Sequence, residues 1–129
     1  MDPDPDDLDV SPNPSGEALT AERERTVGLI DALTARLAAV IDATADAAAD
    51  DEHDPEGSTL AVERGQLVAQ VERSRVRLDE IDAALLRMGE GSYGRCETCG
   101  VAIDPERLEV LPATRQCVGC AARHPARRW

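Results

Sequence analysis

Four cysteines, Cys96, Cys99, Cys117 and Cys120, form two C-x-x-C pairs separated by seventeen residues in the last third of a 129-residue chain. A C-x-x-C turn aims both of its sulfurs at one point. Gly100, directly after Cys99, permits the tight turn whose backbone N–H groups hydrogen-bond thiolates. Two such knuckles close a tetrahedral four-sulfur site. Zinc suits it best, being redox-inert and commonly held by four thiolates, and one structural ion per chain is expected. The spacing by itself leaves a pair of disulfides, a redox-active dithiol and a rubredoxin-like iron site open. A reducing compartment weighs against disulfides. With sulfur in all four positions, no site remains for a substrate or an activated water, so the metal is scaffold rather than catalyst. Without its cation the module should come apart, since it has little core of its own.

No other constellation points to catalysis. The histidines, His53 and His124, stand apart from any placed Ser or Cys nucleophile, and there is no glycine-rich phosphate loop, so an enzyme is not expected. His124, before Pro125, reads as a surface residue. The run ADDEHDPEGS (49–58) gathers Asp50, Asp51, Glu52, Asp54 and Glu56 around His53, then breaks at Pro55 and Gly57. Composition alone reads it as a solvated connector.

Two long helical segments flank that run. Residues 17–49 contain no proline, and Ile30, Leu33, Leu37, Val40, Thr44 and Ala47 recur at steps of three and four. The stripe is narrow, as in a coiled-coil seam that needs only one neighbouring helix, and it thins toward DATADAAAD. A second helix can start with Ser58 or Thr59 as N-cap and run to about Gly89, carrying Leu60, Leu67, Val71, Leu78, Ile81, Leu85 and Met88 with polar interruptions at Arg64 and Ser74. Lengths of about 31 to 33 residues on either side of a short breaker predict an antiparallel hairpin with its tip at residues 50–57. The stripe alone is also compatible with a dimerising coiled coil. The fold class expected is mostly α, a long helical hairpin followed by a small four-cysteine module. Its divisions are an acidic disordered tail (1–16), the hairpin (17–89), and the C4 module with a short C-terminal tail (90–129). Between the knuckles, Val101, Ile103, Leu108, Val110 and Leu111 alternate with polar residues and predict a short ribbon-like turn on the site.

The charge balance narrows the partners. All basic residues are arginine, and 26 acids bring the formal net charge to −12. Such a chain repels phosphate backbones overall. The gathering of Arg115, Arg123, Arg127 and Arg128 is the one local exception, and sequence-specific DNA binding is not expected. The tail has five aspartates, four prolines and no basic residue, which is too polar to fold alone. No targeting signal and no run of 18 apolar residues is visible, so a cytoplasmic protein without membrane association is expected.

The run GSYGRCETCGVAIDPERLEVLPATRQCVGC resembles the C-terminal zinc finger of the DksA/TraR family. The similarity includes Tyr93-Gly94 before the first cysteine, the Cys99-Gly100 knuckle, Ile103, Arg107-Leu108, Pro112 and the last cysteine pair. With the hairpin, it covers roughly residues 20 to 122. The resemblance implies a transcription regulator that binds RNA polymerase directly, its coiled coil inserted through the secondary channel and its tip acids near the active site. The family's D-x-x-D tip pair matches Asp51 and Asp54, with Asp50, Glu52 and His53 as supporting tip residues. Pro55-Glu56 departs from the small helical residues that follow in better-known members. A family position that presents a basic residue to guanosine tetraphosphate aligns with Glu80, which weighs against a response to that nucleotide, although Arg73 remains compatible. The alternative reading is an adaptor coiled coil whose zinc ribbon docks a different protein.

Overall fold

The computed structural model describes residues 14–50 and 55–123. Four helices follow in order: α1 (Pro14–Asp50), α2 (Pro55–Glu90), α3 (Pro105–Val110) and α4 (Val118–Arg123). The two long ones run 37 and 36 residues and pack as an antiparallel hairpin. Each is longer than the heptad pattern required. Helix α1 starts at Pro14, three residues inside the expected tail. Helix α2 starts at Pro55, so Ser58 and Thr59 lie within it rather than capping it. Proline is well placed in a first helical turn, where its missing N–H has no intrahelical partner to lose. The breaker Pro55 is therefore a helix start.

The chain divides into two compact units, Glu24–Asp79 and Met1–Arg23 with Glu80–Trp129. Within the first, Val40, Leu67, Val71 and Thr26 are buried, and Ile30, Leu33, Leu37, Leu60 and Ser74 are half-buried. These are seam positions, and covering them with one neighbouring helix accounts for the narrow stripe. Arg36 reaches across to Glu63, with its Nη2 2.7 Å and its Nε 3.0 Å from the same carboxylate oxygen. A groove lined by Thr26, Leu29, Leu33, Gln70, Arg73, Ser74 and Arg77 lies in the same unit. It opens where Thr26 and Ser74 replace larger seam residues. In the described part of α1 past Val40 no side chain is buried, which matches the thinning of the stripe.

The second unit has its own apolar cluster of Leu19, Ile81, Ala84 and Ala113, with Leu85, Met88 and Tyr93 packed against it. Leu19 from α1 and Ile81 and Ala84 from α2 are fully buried. Arg23 and Asp82 pair beside them at 2.6 Å, both about half exposed. Helix α2 ends in a Schellman motif: Gly91 N–H donates to Met88 O (3.4 Å) and Ser92 N–H to Arg87 O (2.9 Å). Gly91 has φ +82°, a conformation that costs a residue with a Cβ. That stop turns the chain directly into the cysteine module. Among the described residues, no helix is long and apolar enough to cross a membrane.

Candidate metal centre

The first knuckle is built by backbone hydrogen bonds around Gly100, whose φ is +78°. Gly100 N–H donates to Cys96 O (3.0 Å) and Cys96 N–H to Val101 O (2.8 Å). The expected ribbon between the knuckles reduces to one antiparallel bridge, Arg95 with Ala102, continued by Ile103 N–H to Gly94 O at 2.7 Å. Beyond it the chain becomes α3 and not a strand. Asp104 caps that helix, its carboxylate accepting from Glu106 N–H at 3.0 Å, with Pro105 in the first turn. Asp-Pro-Glu was a readable helix start. The alternation of apolar residues masked it, and of those residues only Ile103 is buried and Leu108 half-buried; Val101, Val110 and Leu111 are exposed.

Helix α3 holds the approach to the second knuckle. Arg107 Nε donates to Gln116 O (3.0 Å) and its Nη2 to Thr114 Oγ1 (3.4 Å). The two knuckles are tied to each other by Glu97 N–H to Arg115 O (2.9 Å) and by Gln116 Nε2 to Thr98 Oγ1 (3.2 Å). Helix α4 then starts at Val118 and carries Cys120 in its second half-turn, where it is buried.

These elements bring the four cysteine sulfurs within 4.8 Å of one another. Cys96 and Cys120 are buried, Cys117 half-buried and Cys99 exposed. Cys96, Cys120 and Ile103 form one cluster on which Leu108 and Cys117 pack. The Sγ atoms of Cys99 and Cys117 are 3.8 Å apart. Four sulfurs at zinc–sulfur distance on the corners of a tetrahedron are separated by about 3.8 Å. The donor set and its spacing therefore fit a tetrahedral S4 ion, and among the described residues no oxygen or nitrogen donor belongs to the group.

The electrostatics of the cluster are divided. Backbone N–H groups of Cys117 and Cys99, joined by Thr98, push the Cys96 thiol down to about 6 against the effect of its burial. Cys117 is lowered as well, first by the backbone N–H of Cys120, which lies 3.4 Å from its sulfur. Burial, reinforced by the neighbouring sulfurs, pushes Cys120 up to about 12. Cys96 and Cys117 are thus favoured as thiolates while Cys120 resists ionisation. A bound cation removes that conflict by favouring all four thiolates.

Two features of the module carried no sequence signal as site components. Arg87 in the last turn of α2 extends a guanidinium to Thr114 O (3.4 Å) and to Glu97 (4.0 Å), which also lies 3.9 Å from Arg115. Its burial lowers its pKa, with Glu97 opposing the shift. Ala113 is buried beside Leu19. Of the residues named in the sequence, the four cysteines are brought together. Asp51, Glu52, His53 and Asp54 lie outside the described residues, and Asp50 is the last residue of α1. Arg73 lines the hairpin groove with Arg77, and Glu80 is half-buried.

Comparison with known proteins agrees with this geometry. Residues 91–126 match the family described as prokaryotic dksA/traR C4-type zinc finger. General stress protein 16O of Bacillus subtilis is 38% identical over 74 residues, covering 56% of this chain and 44% of that protein. RNA polymerase-binding transcription factor DksA of Caulobacter vibrioides is 41% identical over 56 residues, 43% of this chain and 39% of that one. The chain thus aligns with less than half the length of these curated relatives. The solved structure of transcription factor DksA2 from Pseudomonas aeruginosa superposes with a TM-score of 0.52 at 25% identity, covering 91% of this chain and 92% of that one.

Proposed function

We propose that this chain, whose residues 91–126 match the dksA/traR C4-type zinc finger, is a transcription regulator that binds RNA polymerase directly. The observation carrying this reading is the combination of the DksA2-like hairpin fold over 91% of the chain with a four-sulfur cluster inside the family's matched segment. In this reading Cys96, Cys99, Cys117 and Cys120 hold one zinc ion per chain. The ion is structural: it neutralises the thiolates and fixes the loops around the end of α2, and its four sulfurs leave no position for a substrate. In this reading the chain is organised as an acidic tail up to the start of α1, the hairpin of α1 and α2, and the C4 module from residue 90.

The hairpin is the probe. Its tip enters the polymerase secondary channel, and Asp51 and Asp54, supported by Asp50, Glu52 and His53, act near the polymerase active site. Their action is electrostatic and steric. Carboxylates close to catalytic magnesium or to mobile basic elements shift conformational populations at initiation without covalent chemistry. A net charge of −12 favours this protein partner over DNA, and in this reading the protein works in the cytoplasm beside the polymerase.

The deciding experiment is photo-cross-linking from a probe at residue 51 to purified RNA polymerase. Cross-links to the secondary channel are expected. No contact with polymerase would move the protein to the adaptor reading, in which the zinc ribbon docks a different protein, and leave its fold untouched.

A further inference from the structure

The loop at residues 111–116 stands between the cysteine cluster and the start of α1. On one side it is bonded to the first knuckle: Arg115 O accepts from Glu97 N–H (2.9 Å), and Gln116 Nε2 reaches Thr98 Oγ1 (3.2 Å). Cys117 follows Gln116 directly. On the other side Ala113, 5% exposed, packs into the cluster with Leu19, Ile81 and Ala84. Tyr93, three residues before Cys96, lies against the same cluster and donates its hydroxyl to Pro112 O at 2.8 Å. Arg87 adds a third tie, to Thr114 O.

Leu19 is the one buried residue among the described positions of the segment 14–23. The start of α1 is therefore anchored by an apolar contact whose cover comes partly from the loop leading into the second cysteine pair. An exposed ion pair such as Arg23–Asp82 adds little to that anchor. A helix end with so few buried groups opens readily once the cover is withdrawn.

From this we infer that the 111–116 loop is a metal-controlled latch, in which ordering of the four-cysteine site seats Ala113 and Tyr93 over Leu19 and so sets whether the first turns of α1 are docked or open. The inference rests on the zinc reading above but goes beyond it, since it assigns the metal a second effect, outside the module that holds it. Coupling of this kind is reciprocal: a loop that seats well on Leu19 also holds Cys117 where the metal needs it.

The test is hydrogen exchange read by mass spectrometry on the full chain, with metal content measured on the same samples. Chelation of the zinc-loaded protein is expected to speed exchange in peptides covering 14–23 about tenfold or more, with a smaller change over 24–79. Ala113→Asp sets a carboxylate in the apolar cluster. It is expected to give the same fast exchange at 14–23 with the metal still bound, and Ala113→Ser should give a weaker form of it. Loss of metal from Ala113→Asp also supports the latch, through the reciprocal coupling. Two results overturn the latch and spare the zinc reading: metal-loaded protein whose 14–23 exchange is unmoved by chelation, or a rise spread evenly over 24–79. A purified protein that binds no metal overturns both.

Discussion

Tyr93 donates its phenolic hydrogen to the carbonyl oxygen of Pro112 across nineteen residues of chain, at 2.8 Å. The bond links the segment just before the first cysteine pair to the loop just before the second. Its side chain packs against the cluster formed by Leu19, Ile81, Ala84 and Ala113, so one residue serves both the hydrogen-bonded and the apolar part of the unit. Removing the hydroxyl alone separates the two contributions. Tyr93→Phe is expected to lower stability by about 1 kcal/mol, the net worth of one intramolecular hydrogen bond. Thermal unfolding checks the value, and an unchanged midpoint would show that water replaces the bond at no cost.

Burial and charge make unequal contributions where α1 and α2 meet in this unit. Ile81 is fully buried, whereas Arg23 and Asp82 are each 45% exposed at the side chain. Ile81→Ala should cost about 2–5 kcal/mol, because the lost methyl groups leave a cavity that the helices only partly close. Arg23→Ala should cost less than about 1 kcal/mol and become silent at high salt. Denaturant unfolding of both variants compares them, and equal losses would contradict the assignment of the anchor to the apolar cluster.

Much of this was legible beforehand, and the rest was hidden for identifiable reasons. The seam residues Ile30, Leu33, Leu37 and Val40 stood out because a two-helix contact imposes a seven-residue period that a sequence displays directly. The cysteines stood out because four sulfurs around one ion require short, fixed spacings. Ala113 did not. An alanine in a loop carries no period, and its importance comes from Leu19, which is ninety-four residues earlier in the chain. Helix α3 was missed for a different reason. Six residues of helix are too short to show a period, so the Asp104 cap was the stronger signal and the apolar alternation the weaker one. Asp51 and Asp54 were singled out by resemblance alone, since an acidic run has no structural period to read.

Metal uptake by the cysteine cluster should depend steeply on pH. The ion binds thiolates, so protons compete with it and affinity rises with pH. Cys96, held down at about 6, is already a thiolate at neutral pH. Cys120, pushed up to about 12, is still a thiol there and has to release its proton on binding. Zinc titration of the metal-free protein is therefore expected to release protons at pH 7, with affinity climbing between pH 6 and pH 9 and the bound metal lost on acidification. A competition assay with a chromogenic chelator, corrected for the chelator's own protonation, measures it. Affinity flat across that range would exclude thiolate ligation.

Loss of one ligand should dismantle the site rather than weaken it by a quarter. Cys96 is buried and shares a cluster with Ile103 and Cys120, so Cys96→Ser exchanges a thiolate for a hydroxyl that binds zinc poorly, and the sulfurs that remain lose their common centre. About one zinc per chain should be released, and the folded signal of residues 91–123 should disappear while the helical signal of α1 and α2 largely persists. Elemental analysis with circular dichroism reads both quantities, and full metal retention would count decisively against the four-cysteine assignment.

The tip assignment is tested by changing charge without changing shape. Asp51→Asn combined with Asp54→Asn keeps the volume of both side chains and removes two negative charges. If those carboxylates act on the polymerase by their charge, the double variant should lose most of its effect on transcription from responsive promoters. Binding to RNA polymerase and helicity should remain close to wild type, since asparagine is isosteric with aspartate. A parallel loss of binding would place the pair in affinity rather than in effect. Transcription regulated as in the wild type would refute the role of Asp51 and Asp54, leaving the hairpin with no charge-based action at its tip.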